Sequence, residues 1–352
     1  MPTSRRVRPG PRGSGSRWAT LAGVALALGA CSTPGAAHPV APAVSGAASA
    51  ARPVPSGSST GAPARAGTLR VALAGWRLPA PIAREVVLAG PGALLIAGGL
   101  TGSLTSAAGV FRLDLATGRL VQVATLPEAV HDAAGAVLGS GGVVFGGGAS
   151  STVAAVQGFA IASGAGSRIV GALPQPRSDL VAAVVGGTAY VLGGYDGSAT
   201  LAAVLATTDG ARFRVVAQLP VPVRYAAVSV VDGRILLFGG EANGVATADI
   251  QEFDPARGTA RVIGALPRPL AHAAAFPLDG QVFLAGGISG GQVSGQVLRV
   301  DPVGLAVSVA GALALPVSDA GSATVDGVGY LVGGESGPGT PVTAVQTLRI
   351  VG

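Results

Sequence analysis

"YAAVSVVDGRILLFGG", residues 225–240, contains the pattern on which the fold prediction depends. Two short apolar runs flank Asp232-Gly233, and an Asp-Gly pair between such runs is typical of a two-residue β-hairpin turn. The second run ends in a double glycine, which is a common interruption of a strand. The stretch therefore predicts two antiparallel strands followed by a sharp change of chain direction.

The same pattern recurs along residues 67–352. An apolar run closes on a double glycine six times, at Gly99, Gly148, Gly194, Gly240, Gly287 and Gly334. A Leu-Pro landmark lies about nineteen residues before each of them, in degraded form as "ALALP" from residue 312 in the last repeat. A fixed period of about 47 residues indicates a repeat architecture, and each unit holds about four short strands.

Six units of four antiparallel strands predict an all-β fold, a six-bladed β-propeller. The double glycines, the turn before each fourth strand and the following Leu-Pro resemble kelch repeats over residues 67–352. Kelch repeats usually carry a Tyr and a Trp after the double glycine, whereas some repeats here carry Phe111, Phe159, Phe213 or Phe253 at the equivalent place. Only one strand-like run follows Gly334, so the run at 68–76 is expected to supply the missing outer strand and close the ring.

The first 66 residues predict a targeting segment and a linker. An Arg-rich start, the apolar run "WATLAGVALAL" at 18–28 and small residues follow the layout of a secretory signal, and the run is too short to span a bilayer. Leu28-Gly29-Ala30-Cys31 resembles the lipobox of bacterial lipoproteins, with an incidental thiol as the alternative. This resemblance implies a signal peptide over 1–30 and lipid on Cys31. Residues 31–66, rich in Ala, Pro, Ser and Gly, predict a disordered linker.

The lipobox resemblance also implies a location and a membrane partner. The protein is expected to be exported and anchored through Cys31 to the outer face of the cell membrane, or on the periplasmic side in a two-membrane host. The linker would hold the propeller away from the lipid surface.

Charge and composition argue against several other partners. The net charge of +6 arises upstream, because residues 67–352 carry 16 Arg against 17 acidic residues and the chain has no Lys. A near-neutral body with few aromatic residues predicts no nucleic-acid partner. No phosphate-binding glycine motif occurs, and three histidines (His38, His131 and His272) with one Cys predict no metal site and no cofactor.

A candidate binding site comes from one equivalent position at the start of the first strand of each repeat. That position is never aliphatic, and its six residues are Arg84, Asp132, Asp179, Tyr225, His272 and Asp319. Polar neighbours are Glu85, His131, Arg177, Ser178, Arg224 and Ser318, and the loops after the double glycines add Tyr195, Asp196, Glu241, Asn243 and Glu335. These side chains either solvate the strand entrances and neutralise one another, or they form a mixed-charge ring that binds a ligand at the channel mouth. The predicted ligand-binding residues are the six together with Arg224.

Two classes of function remain open. The first is a binding module that engages a protein, peptide or glycan through the mouth and loops. The second is a sugar-active enzyme, because some six-bladed kelch propellers are sialic acid epimerases, and because sialidases, which are also six-bladed, use an arginine cluster with Tyr and carboxylates. The candidates for these roles are Arg84, Arg177, Arg224, Tyr225 and Asp179. The Ser-x-Asp-x-Gly-x-Thr-Trp turns of sialidases do not occur in this sequence, and neither do the copper ligands of galactose oxidase. The sequence therefore favours the binding module, with no catalytic residue assigned.

Overall fold

The computed structural model describes residues 67–352, and these residues form six four-stranded antiparallel sheets. The first strand of each sheet contacts the first strands of its neighbours, so the sheets are arranged radially around a central channel. The fold is an all-β six-bladed propeller, and this confirms the prediction from the repeats.

The chain runs from the centre of each blade to its rim. It enters with β1 (Thr68–Leu73) and the two-residue strand β2 (Ile82–Ala83), and β2 later pairs with β5 (Leu100–Thr101). Blade 1 comprises β3 (Val86–Gly90), β4 (Ala93–Ala97), β6 (Gly109–Asp114) and β7 (Leu120–Thr125). Blade 2 comprises β8 (Ala134–Leu138), β9 (Gly141–Phe145), β10 (Ala155–Ala160) and β11 (Arg168–Ala172).

The next three blades repeat this order. Blade 3 comprises β12 (Val181–Val185), β13 (Thr188–Leu192), β14 (Ala203–Thr207) and β15 (Arg214–Gln218). Blade 4 comprises β16 (Ala227–Val231), β17 (Arg234–Phe238), β20 (Asp249–Asp254) and β21 (Thr259–Ala265), with the small hairpin β18 (Glu241–Ala242) and β19 (Val245–Ala246) between its second and third strands. Blade 5 comprises β22 (Ala274–Leu278), β23 (Gln281–Ala285), β26 (Gln296–Val300) and β27 (Val307–Ala312), with the hairpin β24 (Ile288–Ser289) and β25 (Gln292–Val293).

Blade 6 closes the ring with both ends of the propeller. It comprises β28 (Gly321–Val325), β29 (Val328–Val332), β30 (Val345–Val351) and, as its outer strand, β1. Strands β30 and β1 pair in antiparallel fashion over six residue pairs, from Thr68 opposite Val351 to Leu73 opposite Gln346. The sharing of one blade by the two ends, predicted from the single run after Gly334, is confirmed.

The Asp-Gly pairs form the hairpin turns that the sequence predicted. Asp232 and Gly233 connect the first two strands of blade 4, and their φ angles are 48° and 74°. Positive φ at both central residues defines a type I′ turn, whose twist matches that of the flanking strands. The pairs at 279–280 and 326–327 have the same conformation.

The double glycines permit close approach between neighbouring blades. Gly239 has a φ of 59°, and a Cβ at this position would collide with the carbonyl oxygen of Leu270 in the segment that leads into the next blade. The amide of Gly240 donates a 2.8 Å hydrogen bond to the same carbonyl. In blade 2 the equivalent pair is Gly146-Gly147, and Gly148 takes the position after the pair, which Tyr195 and Glu241 occupy in blades 3 and 4.

The hydrophobic core lies between adjacent blades. Each of its six clusters combines side chains from two neighbouring blades, including the pair formed by blades 6 and 1. The landmark leucines are buried there, and they are Leu78, Leu126, Leu173, Leu219, Leu266 and Leu313. Within residues 67–352, no helix is long and apolar enough to cross a membrane.

Candidate functional site

The six candidate positions form a closed ring of backbone hydrogen bonds at one end of the channel. Each residue donates its amide to the carbonyl of the equivalent residue in the preceding blade, over 2.8–3.0 Å, and Arg84 completes the circle by donating to Asp319. We call this set the mouth ring, and its members are Arg84, Asp132, Asp179, Tyr225, His272 and Asp319. The ring therefore brings one side chain from each blade to the same end of the channel.

All six residues of the mouth ring have left-handed backbone conformations, with φ between 52° and 59°. Asp and His are among the residues enriched in this conformation, and β-branched residues are strongly disfavoured. The backbone therefore explains four of the six polar residues and the absence of Val and Ile. It does not explain Arg84 or Tyr225.

A first chain of ion pairs crosses blades 6, 1 and 2. Arg84 donates from Nε to Oε1 of Glu335 over 2.7 Å and from Nη1 to Oδ2 of Asp132 over 3.0 Å. Both carboxylates are buried, while Arg84 keeps 23% of its side chain exposed. Burial alone would lower the pKa of Arg84, but the adjacent carboxylates raise it above its usual value, so the guanidinium stays charged.

A second chain of ion pairs continues around the other side of the ring. Arg224 contacts Asp179 over 3.3 Å and Glu241 over 2.9 Å. His272 lies 3.3 Å from the other oxygen of Glu241 through Nε2 and 2.6 Å from Asp319 through Nδ1. Five carboxylates in the two chains thus share two guanidinium groups and one imidazole, which leaves the mouth acidic.

An aromatic platform lies within the second chain. The rings of Tyr225 and His272 stack with centroids 3.9 Å apart. The Arg224 guanidinium lies 5.1 Å from the ring centroids of both Tyr195 and Tyr225, a distance at which a cation and an aromatic face attract one another. The platform therefore combines flat apolar surface with fixed charges, as polar ligand sites commonly do.

Protonation differs among the carboxyl groups of the mouth. Burial raises the pKa of Asp132 to about 7, with Asp179 and Asp319 adding to the effect and Arg84 opposing it. Burial would also raise the pKa of Asp319, but its hydrogen bond to His272 and the positive charge of that imidazole hold this pKa below its usual value. The same contact raises the pKa of His272 although burial opposes it, which favours an imidazolium–carboxylate pair.

Glu85, predicted from the sequence only as a polar neighbour of the mouth ring, is a further functional candidate. It is 6% exposed, its Oε1 accepts a 3.2 Å hydrogen bond from the Gly321 amide, and its Oε2 is buried without a partner among the described residues. Burial raises the pKa of Glu85 to about 8. The sequence contains a signal for this role, because Glu85 is the one charged residue at a position that is apolar in the other five blades. The apolar residues are Ala133, Leu180, Ala226, Ala273 and Ala320.

Other predicted neighbours occupy several different environments. Arg177 is 1% exposed and donates hydrogen bonds to the carbonyls of Gly193 and Ala203, so it belongs to the interior of blade 3. The equivalent positions of the other five blades carry Ile, Val or Leu. Ser178 and Ser318 are buried. His131 contacts the hydroxyl of Ser106 over 2.9 Å. Burial and the nearby charge of Arg84 lower the pKa of His131.

The loops after the double glycines lie on the same face as the mouth ring. Arg224 and Glu241 exchange backbone hydrogen bonds of 3.0 and 2.7 Å, and Ser178 pairs with Tyr195 in the same way. Asp196 caps its own loop through Oδ1, and Asn243 lies at the tip of the β18–β19 hairpin. The predicted lipidation site, Cys31, lies outside the described residues.

A central cavity of about 130 Å³ lies within the mouth ring. All six ring residues and Glu85 line it, together with the apolar side chains of Ala133, Leu180, Val181, Ala226, Ala273 and Ala320. Larger clefts of about 460 and 470 Å³ lie between blades, and neither gathers charged side chains from more than two blades. Convergent polar groups favour the smaller cavity as the ligand site. Within residues 67–352, no group of three or more His, Cys, Asp and Glu side chains is placed to hold a metal ion.

Comparison with solved structures supports the fold. The chain is similar to the structure of YjhT, with a TM-score of 0.67 and 16% sequence identity over 76% of this chain and 95% of that chain. At this identity the similarity shows a six-bladed propeller of kelch-like fold. No protein-family model matches the sequence, and no match was found among curated proteins.

Proposed function

We propose that this protein is a binding module, displayed outside the cytoplasmic membrane through lipid on Cys31, whose mouth binds a polar ligand on a peptide, protein or glycan. The observation that supports it best is the central cavity, where six backbone-fixed side chains and two chains of ion pairs converge. Because the donors, acceptors and aromatic platform of the mouth are already held in place, little side-chain entropy is lost when a polar ligand binds.

Arg84 and Tyr225 support a role for the mouth beyond packing. A residue that is not favoured in the left-handed conformation costs on the order of 1–2 kcal/mol there. Buried ion pairs are often no more stabilising than apolar side chains of similar size. The charged groups of the mouth therefore contribute little to folding stability, and binding a ligand would account for their presence.

A binding screen with two mouth variants tests this proposal. Arrays of cell-wall glycans and extracellular peptides would identify a ligand, and calorimetry would measure its affinity. Arg224→Gln and Tyr195→Leu should each weaken binding at least tenfold with a melting temperature within a few degrees of wild type, because Arg224 is one-quarter exposed and Tyr195 half-buried. Arg214→Gln, on an exposed outer strand, is the matched control and should bind as wild type does. A ligand bound equally by both mouth variants would contradict the proposal.

A sugar-active enzyme is the second candidate function. The observation in its favour is that burial raises the pKa of Glu85 and Asp132 while His272 holds that of Asp319 low, since acid–base catalysis depends on carboxyl groups with separated pKa values. Against it, Arg177 is buried in blade 3, where it donates to the carbonyls of Gly193 and Ala203, so it does not join Arg84 and Arg224 at the mouth. Proton NMR of sugars mixed with the protein would distinguish the two, because an enzyme yields epimerised or hydrolysed product and a binding module does not.

A further inference from the structure

The central cavity has two zones of different chemistry. Carboxyl groups of Glu85, Asp132, Asp179 and Asp319 line it together with two cationic groups, the guanidinium of Arg84 and the imidazole of His272. Arg84 is paired with Asp132 and Glu335, and His272 is paired with Asp319 and Glu241, so the carboxyl groups of the mouth outnumber its cations. Small apolar side chains from five blades form the remaining wall. A ligand that fills this cavity needs a positive head group and an apolar stem.

Glu85 adds an observation independent of the ring of acidic residues. Its Oε2 is buried and accepts no hydrogen bond from any described residue. A buried carboxyl oxygen without a partner costs free energy, and native structures rarely tolerate one without a reason. Glu85 also lines the cavity. An external donor that enters the cavity would satisfy this oxygen.

We propose that the central cavity binds the ammonium end of a lysine side chain presented by a peptide or protein partner, with Glu85, Asp132, Asp179 and Asp319 as acceptors. This inference rests on the proposed function of the mouth as a binding site. An ammonium group carries three donors and no acceptor, and the four methylenes of its stem can pack against an apolar wall. The chain itself contains no Lys, so the group comes from a partner.

The size and shape of the cavity favour lysine over other cations. A volume of about 130 Å³ suits a narrow stem with a compact head. An amino sugar carries its ammonium directly on a broad ring, whereas lysine carries its ammonium at the end of a narrow stem. The carboxyl groups are not grouped as metal ligands are, which argues for an organic cation.

Binding should release a proton from the cavity. With burial raising the pKa of Glu85 to about 8 and that of Asp132 to about 7, Glu85 is mostly protonated and Asp132 is partly protonated at neutral pH when the cavity is empty. An arriving ammonium favours the carboxylate forms, and each displaced proton passes to solvent. The charged groups that line the cavity with Glu85 are Arg84, Asp132, Asp179, His272 and Asp319, and of these Asp319 raises the pKa of Glu85 further. Affinity should therefore rise between pH 6 and pH 8.5.

Calorimetry with matched peptides tests the inference. The probe is the pentapeptide Ala-Gly-Lys-Gly-Ala, capped at both ends, and the comparison peptides carry ε-acetyl-lysine or norleucine at the centre. The lysine peptide should bind at least tenfold more tightly than either comparison peptide at pH 8.5. Glu85→Gln should weaken its binding at least tenfold, whereas Glu128→Gln, on an exposed loop, should leave it unchanged.

Each other outcome overturns the inference. Equal binding of lysine and norleucine peptides removes the role of charge, and binding of glucosamine in place of the peptide reassigns the cation to a sugar. Unchanged affinity in both Glu85→Gln and Asp132→Asn places the site elsewhere. If the array yields a ligand that depends on Arg224 and Tyr195 while no lysine peptide binds, the proposed function stands and this inference fails.

Discussion

Arg84 and Tyr225 are the mouth-ring residues whose type the left-handed backbone does not favour. Both have φ near 55°, where Asp, Asn and His are several-fold enriched and where long or aromatic side chains gain nothing locally. Arg84 joins blades 6, 1 and 2 through its two carboxylate partners, and Tyr225 stacks on His272. Their side-chain contacts therefore offset an unfavourable backbone, which is typical of positions selected for a site.

The raised pKa of Glu85 predicts that the free energy of unfolding depends on pH. Its pKa is raised from about 4.5 to about 8 in the folded state, so above pH 4.5 the folded protein retains a proton that the unfolded chain loses. The free energy of unfolding should thus fall as pH rises from 5 to 8, by up to about 1.4 kcal/mol per pH unit from this one group. Glu85→Gln, which resembles the protonated form, should show a shallower fall and should equal or exceed wild type in stability at pH 8.

Urea unfolding at pH 5, 6, 7 and 8 measures this dependence. Asp132 and His272 also have raised pKa values and contribute slopes of the same sign, so the informative quantity is the difference between wild type and variant. Glu128→Gln serves as control and should run parallel to wild type. Parallel curves for Glu85→Gln as well would show that Glu85 is ionised in the folded protein.

The ring was predictable from the sequence, but its contacts were not. Six equivalent polar positions can be read from the repeat, because the Leu-Pro landmark fixes their register. Which carboxylate pairs with which arginine depends on distances between blades that no spacing encodes. Arg177 illustrates this, since it adjoins the ring in sequence and yet lies inside blade 3. The apolar residues at its equivalent positions are the sequence signal for that burial.

At the scale of elements, the hairpins and strands follow closely from local chemistry. Asp-Gly pairs and double glycines mark the points where positive φ is needed. Within residues 67–352, the second strand of each blade is followed directly by a double glycine. The prediction placed the glycine pair of blade 2 one residue late, because three consecutive glycines satisfy the pattern in two registers. The backbone angles resolve this, with Gly146 and Gly147 in the left-handed region and Gly148 outside it.

The shared blade predicts that β1 is essential to the fold. Deleting residues 67–77 removes a six-residue ladder, exposes the edge of β30, and takes away Leu69, Val71 and Trp76, which pack against two interblade clusters. The melting temperature should fall by more than about 10 °C, since each kcal/mol shifts it by about 2–4 °C in a domain of this size or somewhat smaller.

Deletion of residues 32–60, which composition predicts to be linker, is the matched comparison. This change should leave the midpoint of thermal unfolding within about 2 °C of wild type, because a solvated segment contributes little to folding free energy. Equal shifts for the two deletions would mean that the strand shared between the ends does not stabilise the propeller.

At the scale of the whole molecule, the mouth can serve as a docking site only where a partner can reach it. The propeller has its core between blades, and within residues 67–352 its mouth and loops lie on one face, outside that core. The lipobox resemblance and the composition of residues 31–66 predict that this propeller is tethered to a membrane by a linker on the order of 30 Å in mean reach. Tethering would keep a weak mouth–ligand contact at a high local concentration.

The anchor is testable separately from the propeller. Cys31→Ala removes the only thiol of the chain, so it should abolish labelling by an alkynyl fatty acid and shift the protein from the membrane fraction to the soluble fraction. Diacyl attachment stabilises membrane association by roughly 0.8 kcal/mol per buried methylene, and Cys31→Ala removes that contribution. The released propeller should keep its melting temperature and its affinity for the lysine peptide, because Cys31 precedes every described residue. Ser32→Ala is the control and should be labelled as wild type is. Equal labelling of Cys31→Ala and wild type would place the lipid on another residue and contradict the lipobox prediction.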